Sequence, residues 1–255
     1  MDLNVPDTRQ QLLSELLDAG EQLNALAIAR KFGISVDTVR RDLIALEDAG
    51  LAKRVRGGAI PISKPGPSML EKAERGIKPP ATLIDAVLSA LEGKQTLLLD
   101  SGSTLLALAR KLTPIEGLVV ITPSPWVAIA CLERDIETIL IGGRLSPRSG
   151  TSVGGDCLAM LSSVAADVAV LGACGIDPVF GLSSDDFDEV PVKQRMADCA
   201  ARTWVVSDCS KLGLRARHRA LLPSQIDRII TTAEGSTDAS TPDPYKAQGI
   251  EIDYV

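Results

Sequence analysis

Residues 34–56 constrain the fold of this chain more than any other segment. Ser35 can cap a helix that begins directly after it, because its hydroxyl can accept a hydrogen bond from an unpaired amide of the first turn. Arg41 points almost opposite to the apolar stripe of this predicted helix, since successive residues turn by ~100°. The stripe recurs at helical spacing and consists of Val36, Val39, Leu43 and Leu46.

The residues on either side of this helix predict the rest of a small domain. Gly50 is suited to end the helix, and the basic segment 51–56 followed by Gly57–Gly58 indicates a short strand and a turn. Residues 23–33 offer an N-cap, a short helix and a closing glycine. Two short helices joined by a tight glycine turn, followed by a basic hairpin, predict a winged helix-turn-helix.

A further helix is predicted at the N-terminus of this domain. Asp7 or Thr8 can cap it and Gly20 can end it. We expect this helix to complete a three-helix core with the two helices that follow. Its predicted buried side consists of Leu12, Leu13, Leu16 and Leu17.

Positive charge is concentrated on this domain, although the whole chain is acidic. The net charge is −6 over 255 residues, whereas residues 30–60 carry seven basic and four acidic side chains. An amphipathic helix with two arginines is often only a solvated helix, but the preceding helix and glycine turn favour DNA binding. The candidate DNA-binding residues are Ser35, Asp37, Thr38, Arg40, Arg41, Lys53, Arg54 and Arg56. On the outer side of the helix, Asp37 and Thr38 lie with Arg41, while Arg40 and Asp42 flank them.

Composition excludes several other classes of protein. Aromatic residues make up 3% of the chain, too few for a single-stranded nucleic acid platform. The five cysteines are scattered and His218 is the single histidine, so the sequence predicts no metal site and no cofactor. There is neither a signal peptide pattern nor an apolar run of the ~20 residues that span a bilayer, so we expect a cytoplasmic protein with no membrane partner. We expect His218 to be exposed in a basic loop.

A proline-rich segment divides the sequence into two domains. Residues 61–80 contain five prolines and prevent long regular structure, except for a short helix predicted within 69–75. The expected organisation is a DNA-binding domain at 1–60, a linker at 61–80 and a second domain at 81–255.

Beyond Pro80 short apolar runs alternate with helical patterns, which predicts an α/β domain with a mostly parallel sheet covered on both faces. The predicted strands are 96–99, 118–121, 138–141, 168–171, 204–206, 228–231 and 250–252. The predicted helices are 83–91, 105–112, 126–133 and 190–201.

Polar and glycine-rich loops follow several of these strands. Ligands of such sheets bind at the carboxyl ends of the strands, so we expect the loops to form a polar pocket. The segment 100–104 opens a helix, whose N-terminus favours an anion. Taken singly, each loop is equally compatible with a solvated turn, and Glu189 with Lys193 is compatible with an i,i+4 ion pair. The candidate ligand-binding residues are Asp100, Ser101, Gly102, Ser103, Thr104, Gly142, Gly143, Gly175, Asp177, Glu189, Lys193, Asp208 and Lys211.

The N-terminal motifs resemble those of DeoR-type bacterial transcriptional regulators. The most specific part is the run T-V-R-R-D-L at 38–43, together with F-G-I-S at 32–35 and the R-V-R-G-G-A segment at 54–59. This chain has Arg56 where the family commonly has histidine before the double glycine, which retains positive charge in the wing.

The C-terminal motifs resemble the effector domain of the same family, which implies that residues 81–255 form a sugar-phosphate-binding effector and oligomerisation domain. They are L-D-S-G-S-T at 99–104, I-G-G at 141–143, L-G-A-C-G-I-D at 171–177, and S-D-C-S-K at 207–211. The resemblance implies the fold of ribose-phosphate isomerases and a sugar-phosphate ligand, with residues 101–104 holding phosphate. It also implies that the sugar side is lined by Asp100, Asp177, Glu189, Lys193, Asp208 and Lys211. Pro123 stands where the family usually has asparagine.

Three functions are compatible with these features. The first is a regulator, most simply a repressor of carbohydrate genes, that binds double-stranded operator DNA as a dimer or tetramer and responds to a small phosphorylated sugar. In such a regulator, Arg41 and Thr38 would face the base edges of the DNA. The second is a sugar-phosphate isomerase with an accessory DNA-binding domain, which could draw its acid and base from Asp100, Asp177, Glu189 and Lys211. The third is a protein-interaction module with a decayed pocket.

Overall fold

The computed structural model describes residues 6–18, 22–49, 51–55, 57–61, 71, 78–233 and 243–255. The chain forms two compact units, Met1–Lys64 and Pro65–Val255, here called the N-terminal and C-terminal units. The predicted helix ends at Gly20 and Gly50, and the 69–75 helix apart from Glu71, lie outside the described residues. The domain limits 1–60, 61–80 and 81–255 therefore stay a prediction.

The N-terminal unit is a winged helix-turn-helix, as predicted. Its elements are α1 (Pro6–Asp18), β1 (Leu23–Asn24), α2 (Ala25–Phe32), α3 (Val36–Asp48), β2 (Ala52–Val55) and β3 (Gly58–Pro61). The three strands form one antiparallel sheet in the order β1-β3-β2. A Cβ at Gly58 would lie 1.8 Å from the Leu23 carbonyl oxygen, so a glycine is required there for β1 to pair with the wing.

Local capping defines the helix-turn-helix. Asn24 caps α2 and accepts hydrogen bonds from the Leu26 and Ala27 amides, both at 3.0 Å. Gly33 adopts a left-handed conformation (φ +65°) that ends α2, and Ser35 caps α3 by accepting from the Thr38 amide at 3.1 Å.

The predicted buried sides are partly confirmed. Leu13, Leu17, Val39, Leu43 and Leu46 are buried in the core of this unit. Val36 and Leu16 are only half-buried and pack against its margin, and Leu12 is also only half-buried. The prediction that Asp7 or Thr8 caps α1 is wrong, because the helix already includes Pro6 and both residues lie in its first turn.

The C-terminal unit is built on a seven-stranded parallel sheet, as predicted. Its strands are β4 (Thr96–Leu99), β5 (Val119–Thr122), β6 (Glu137–Leu140), β9 (Ala166–Gly172), β12 (Ala200–Ser207), β14 (Arg228–Thr231) and β15 (Glu251–Tyr254). Their order is β15-β14-β12-β9-β4-β5-β6. The helices that accompany them are α4 (Ala81–Ala90), α5 (Ser103–Lys111), α6 (Pro125–Leu132), α7 (Gly155–Leu161) and α8 (Glu189–Asp198). Two separate apolar clusters line the faces of the sheet, which explains the continuous apolar runs of its strands.

Two smaller sheets and α7 were not predicted from the sequence. The strands β7 (Arg144–Leu145) and β8 (Ser152–Val153) form a hairpin, and β10 (Gly175–Asp177), β11 (Gly181–Ser184) and β13 (His218–Leu221) form a three-stranded sheet. His218 is therefore half-buried in a strand, packed edge-on against Phe187, and the prediction of an exposed loop is wrong. Among the described residues, none of the helices has the length and apolar character needed to cross a bilayer.

The strand order has one switch point. From β4 the chain moves outward to β5 and β6, and it then returns to place β9 on the other side of β4. In parallel sheets of this kind the carboxyl ends of the strands on either side of the switch form a crevice. The residues at this position are Asp100 after β4 and Gly172 at the end of β9.

Candidate DNA interface and ligand site

Arg41 is the free cation on the outer face of α3. It is exposed, and within the described parts of the chain it makes no side-chain hydrogen bond or ion pair. Ser35 and Thr38 lie beside it, with their hydroxyls 2.8 Å apart. These three residues line a surface cleft of about 500 Å³, together with Pro6, Arg9, Gln10, Ile34 and Asp42.

The other predicted DNA contacts on α3 are partly engaged with each other. Arg40 and Asp37 form an exposed ion pair at 2.9 Å, one turn apart. An exposed ion pair of this kind is weak, so the Arg40 guanidinium remains available to a phosphate.

Asp42 is buried, which corrects its predicted place on the flank of the helix. It is 2% exposed and accepts hydrogen bonds from Arg9 Nε at 2.5 Å and Nη2 at 2.9 Å, and from Gln10 Nε2 at 3.3 Å. The hydrogen bond to Asp42 raises the pKa of Arg9, which burial alone would lower. This pair joins α1 to α3 directly beside Arg41 in the sequence, and Arg9 is a structural residue that sequence reasoning missed.

The wing presents the remaining predicted cations. Lys53 and Arg54 are exposed on β2. Glu47 at the end of α3 accepts a hydrogen bond from the Arg54 amide at 2.9 Å and lies 3.7 Å from its guanidinium. Arg56 lies outside the described residues.

A buried ion pair lies at the switch point of the large sheet. Asp100 and Lys193 are 2% and 4% exposed, and the Lys193 ammonium donates to the Asp100 carboxylate. Lys193 Nζ also donates to the Gly172 carbonyl at 2.9 Å, while the Gly172 amide donates to Asp100 at 3.0 Å. These contacts connect β4, β9 and α8 at one point.

The electrostatics of this pair keep Lys193 charged. Burial lowers the pKa of Lys193, but the negative charges of Asp100 and Glu189 and the hydrogen bond to Asp100 outweigh burial and raise it. A buried charge is tolerated only when it is paired and hydrogen-bonded, which this geometry provides.

Glu189 and Lys193 do not form the i,i+4 ion pair that their spacing allows. Lys193 turns toward Asp100, and Glu189, 7% exposed, instead accepts from the Ser184 hydroxyl at 2.6 Å. Sequence reasoning missed Ser184, because its strand β11 was not predicted.

The loop after Asp100 leads into the N-terminus of α5. Gly102 is the N-cap, with φ +114°, and it provides no side chain to cap the first-turn amides. Ser101 is buried, while Gly102, Ser103 and Thr104 are half-buried. An uncapped helix start bordered by hydroxyls is suited to an anion.

Asp177 lies in a second polar group. Its carboxylate accepts from the Val179 and Phe180 amides at 2.8 and 2.6 Å and pairs with Arg215 at 2.8 Å. Burial raises the pKa of Asp177, but the hydrogen bonds and the charge of Arg215 outweigh burial and lower it. Arg215 also lies over the Phe180 ring, 5.6 Å from its centroid, and was not predicted.

The other candidates have structural contacts of their own. Asp208 caps a short helix at Cys209–Lys211, which holds the half-buried Lys211. A Cβ at Gly143 would lie 2.9 Å from the Val153 carbonyl oxygen, and a Cβ at Gly175 would lie 2.6 Å from the Leu214 carbonyl oxygen. Both glycines therefore allow backbone segments to pack closely. Gly142 lies beside Met160. Within the described ranges, no hydrogen bond or ion pair joins Asp177, Asp208 or Lys211 to the Asp100–Lys193 pair.

Pro123, which stands where the family usually has asparagine, supports the neighbouring β7–β8 hairpin. Its carbonyl accepts from the Ser152 amide at 2.8 Å, and the turn after β5 is closed by a hydrogen bond from the Ser124 amide to the Thr122 hydroxyl at 3.1 Å. The turn therefore forms without an asparagine side chain.

Comparison with known proteins agrees with this two-part organisation. Residues 9–64 match the DeoR-like helix-turn-helix domain, and residues 82–233 match the DeoR C terminal sensor domain. The chain is 30% identical to the HTH-type transcriptional regulator GlpR of Haloferax volcanii over 97% of both chains. It is 28% identical to the glycerol-3-phosphate regulon repressor of Escherichia coli K12, over 88% of this chain and 90% of that one.

One similarity to a solved structure covers about half of the chain. A D-ribose-5-phosphate isomerase in complex with phospho-erythronic acid is 23% identical over 51% of each chain, with a TM-score of 0.37. The family assignment rests on the two domain matches and on the relatives of full length. The chain belongs to the DeoR family of DNA-binding transcriptional regulators.

Proposed function

We propose that this protein represses genes of carbohydrate metabolism by binding operator DNA, and that a phosphorylated sugar in the C-terminal unit controls this binding. The observation that carries the DNA-binding half is Arg41, an exposed arginine without a partner in the described residues, on the outer face of a helix-turn-helix recognition helix. A regulon repressor among the relatives supports the direction of control.

The two types of DNA contact fall to different residues. Arg41 is suited to a bidentate contact with guanine, and Thr38 lies beside it for a base edge. Arg40, Lys53, Arg54 and Arg56 would neutralise phosphates, which adds affinity without discrimination between sequences.

The proposed effector site is the switch-point crevice. The first turn of α5, the Gly102 backbone and the hydroxyls of Ser101, Ser103 and Thr104 would receive the phosphate. Asp100, Glu189 and Lys193 would line the sugar side, with Asp177, Asp208 and Lys211 in the surrounding loops. The ligand would control DNA binding only if it binds the competent and incompetent states with different affinity.

We propose no catalytic role for this site. Isomerisation requires a base that is free to take a proton from carbon. Asp100 is neutralised by Lys193, and Glu189 is held by Ser184. Turnover of a pentose or hexose phosphate by the purified protein would contradict this and support the enzyme alternative.

A footprint on the DNA upstream of the protein's own gene tests the proposal. We expect protection of a discrete segment, and its loss with one member of a panel of pentose, hexose and triose phosphates. Protection that no phosphate changes would retain the DNA-binding role and reject the effector. No sequence-specific protection there or on genomic fragments would reject both.

Replacing Arg54 with alanine should weaken binding to operator and random DNA alike. Because one phosphate contact is lost, the slope of log K against log salt concentration should decrease by about 0.9. Titrations at several salt concentrations measure this slope. Arg110→Ala removes an exposed arginine from α5 in the other unit and should leave the slope unchanged. An unchanged slope for Arg54→Ala would remove this residue from the phosphate contacts.

A further inference from the structure

Strand β6 forms an edge of the large sheet, and three of its four residues are exposed. It pairs only with β5 among the described strands. Ile139 and Leu140 are exposed by 45% and 44%, although strand alternation directs them to opposite faces.

Apolar residues on neighbouring elements extend this surface. Each of these neighbouring apolar side chains is 42–62% exposed. Trp126, Ile129 and Leu132 recur every three residues along α6, which packs beside β6. A Cβ at Gly142, just beyond β6, would lie 3.8 Å from Met160 Sδ, so α7 borders the same edge. We call the whole set the β6 apolar edge: Trp126, Ile129, Leu132, Ile139, Leu140, Leu145 and Met160.

The opposite edge of the same sheet is protected by charge. Strand β15 carries Glu251 and Asp253, which engage arginines of the neighbouring strands: Arg228 lies 2.6 Å from Asp253 and 3.7 Å from Glu251. Charged side chains are a common protection of edge strands against pairing. β6 has a single charged residue, Glu137 at its first position, and no proline. The two edges therefore differ in the property that permits association.

We propose that the β6 apolar edge binds the same edge of a second copy of this chain. An edge strand can pair with its own copy in antiparallel fashion around a two-fold axis, which closes the interface after two chains. The seven side chains expose apolar area on the order of 500 Å². This is a large part of the ~800 Å² that one partner contributes to a standard interface.

This assignment rests on the proposed function, because a regulator with one recognition helix per chain needs a second copy to bind two half-sites. The interface lies in the C-terminal unit, so it would leave each DNA-binding unit intact. The β6 apolar edge is the surface through which we expect the chain to oligomerise.

Two single substitutions on different elements test the surface. Ile129→Lys on α6 and Ile139→Lys on β6 each place a charge within it at an exposed position. Val179→Lys is the matched control, because Val179 is 71% exposed at the turn between β10 and β11. Light scattering after size exclusion at micromolar concentration measures the mass, and circular dichroism verifies the fold. We expect the wild-type and control proteins to have twice or more the chain mass, and both test variants to have the next smaller assembly.

DNA binding distinguishes failure of this interface from failure of the proposed function. The test variants should bind a single half-site as the wild type does, and should lose the cooperative gain on a pair of half-sites. A wild-type protein that binds no DNA but loses mass on substitution would reject the function and retain the interface. A monomeric wild type, or an unchanged mass in both variants, would overturn the interface.

Discussion

Replacing Lys193 with methionine should destabilise the C-terminal unit by about 3–5 kcal/mol, because it leaves a buried carboxylate without its cation. Asp100 is 2% exposed, and among the described residues only the Gly172 amide would remain to donate to it. In a unit of this size the loss corresponds to a melting temperature lower by about 6–20 °C. Thermal unfolding measured by calorimetry or fluorescence determines the shift.

A second substitution isolates the orphaned charge as the cause. In Lys193→Met with Asp100→Asn, the introduced asparagine side chain can still accept from the Gly172 amide, and the carboxylate that Lys193 neutralised is gone, so most of the lost stability should return. Lys111→Met is the matched control. It breaks an exposed pair with Asp85 at 2.7 Å and should change stability by less than about 1 kcal/mol. A double variant as unstable as Lys193→Met would reject this explanation.

The pH dependence of this effect has a definite sign. Since the folded pKa of Lys193 is raised, its contribution is fully present below the unfolded pKa of about 10.4 and is lost as the pH rises through the folded value. The difference in stability between wild type and Lys193→Met should therefore not decrease between about pH 7 and pH 9. If Lys193 also lines the effector site, the variant should lose the stabilisation that a sugar phosphate gives the wild type.

Features that depend on neighbouring residues could be predicted from the sequence. The caps at Asn24 and Ser35 and the left-handed Gly33 follow from side chains and backbone freedom within one turn. The strands of the large sheet could also be predicted, because burial on both faces produces uninterrupted apolar runs.

Partners distant in sequence could not be predicted. The helical pattern places Asp42 on the flank of α3, because its partner Arg9 lies 33 residues earlier on another helix. Lys193 has Glu189 one turn away, yet it pairs with Asp100, 93 residues earlier. A spacing rule ranks the near partner first, and only the strand order of the sheet brings the distant one into contact.

The small sheets were missed for a related reason. β7 and β8 have two residues each, and β10 has three, which is too short for any periodicity. Ser184 lies in β11, which pairs with β10 and β13, so its contact with Glu189 could not be predicted without these short strands.

Replacing Arg41 with alanine should remove most of the sequence discrimination of the protein. The exposed guanidinium has no partner to lose among the described residues, so the fold should be unaffected. A bidentate contact with guanine contributes about 1–3 kcal/mol of discrimination, so operator affinity should decrease by about 5- to 150-fold. Affinity for random DNA should decrease much less, because phosphate contacts dominate it. Titration of both DNAs at one salt concentration gives the ratio.

Arg41→Lys separates base reading from charge. Lysine keeps the positive charge but lacks the planar fork that bonds two acceptors at once. This variant should retain the wild-type affinity for random DNA and still lose much of its preference for the operator. Equal losses on both DNAs, for either variant, would place Arg41 among the phosphate contacts. Sequence recognition would then have to come from other residues of the same cleft, with Thr38 the nearest candidate on α3.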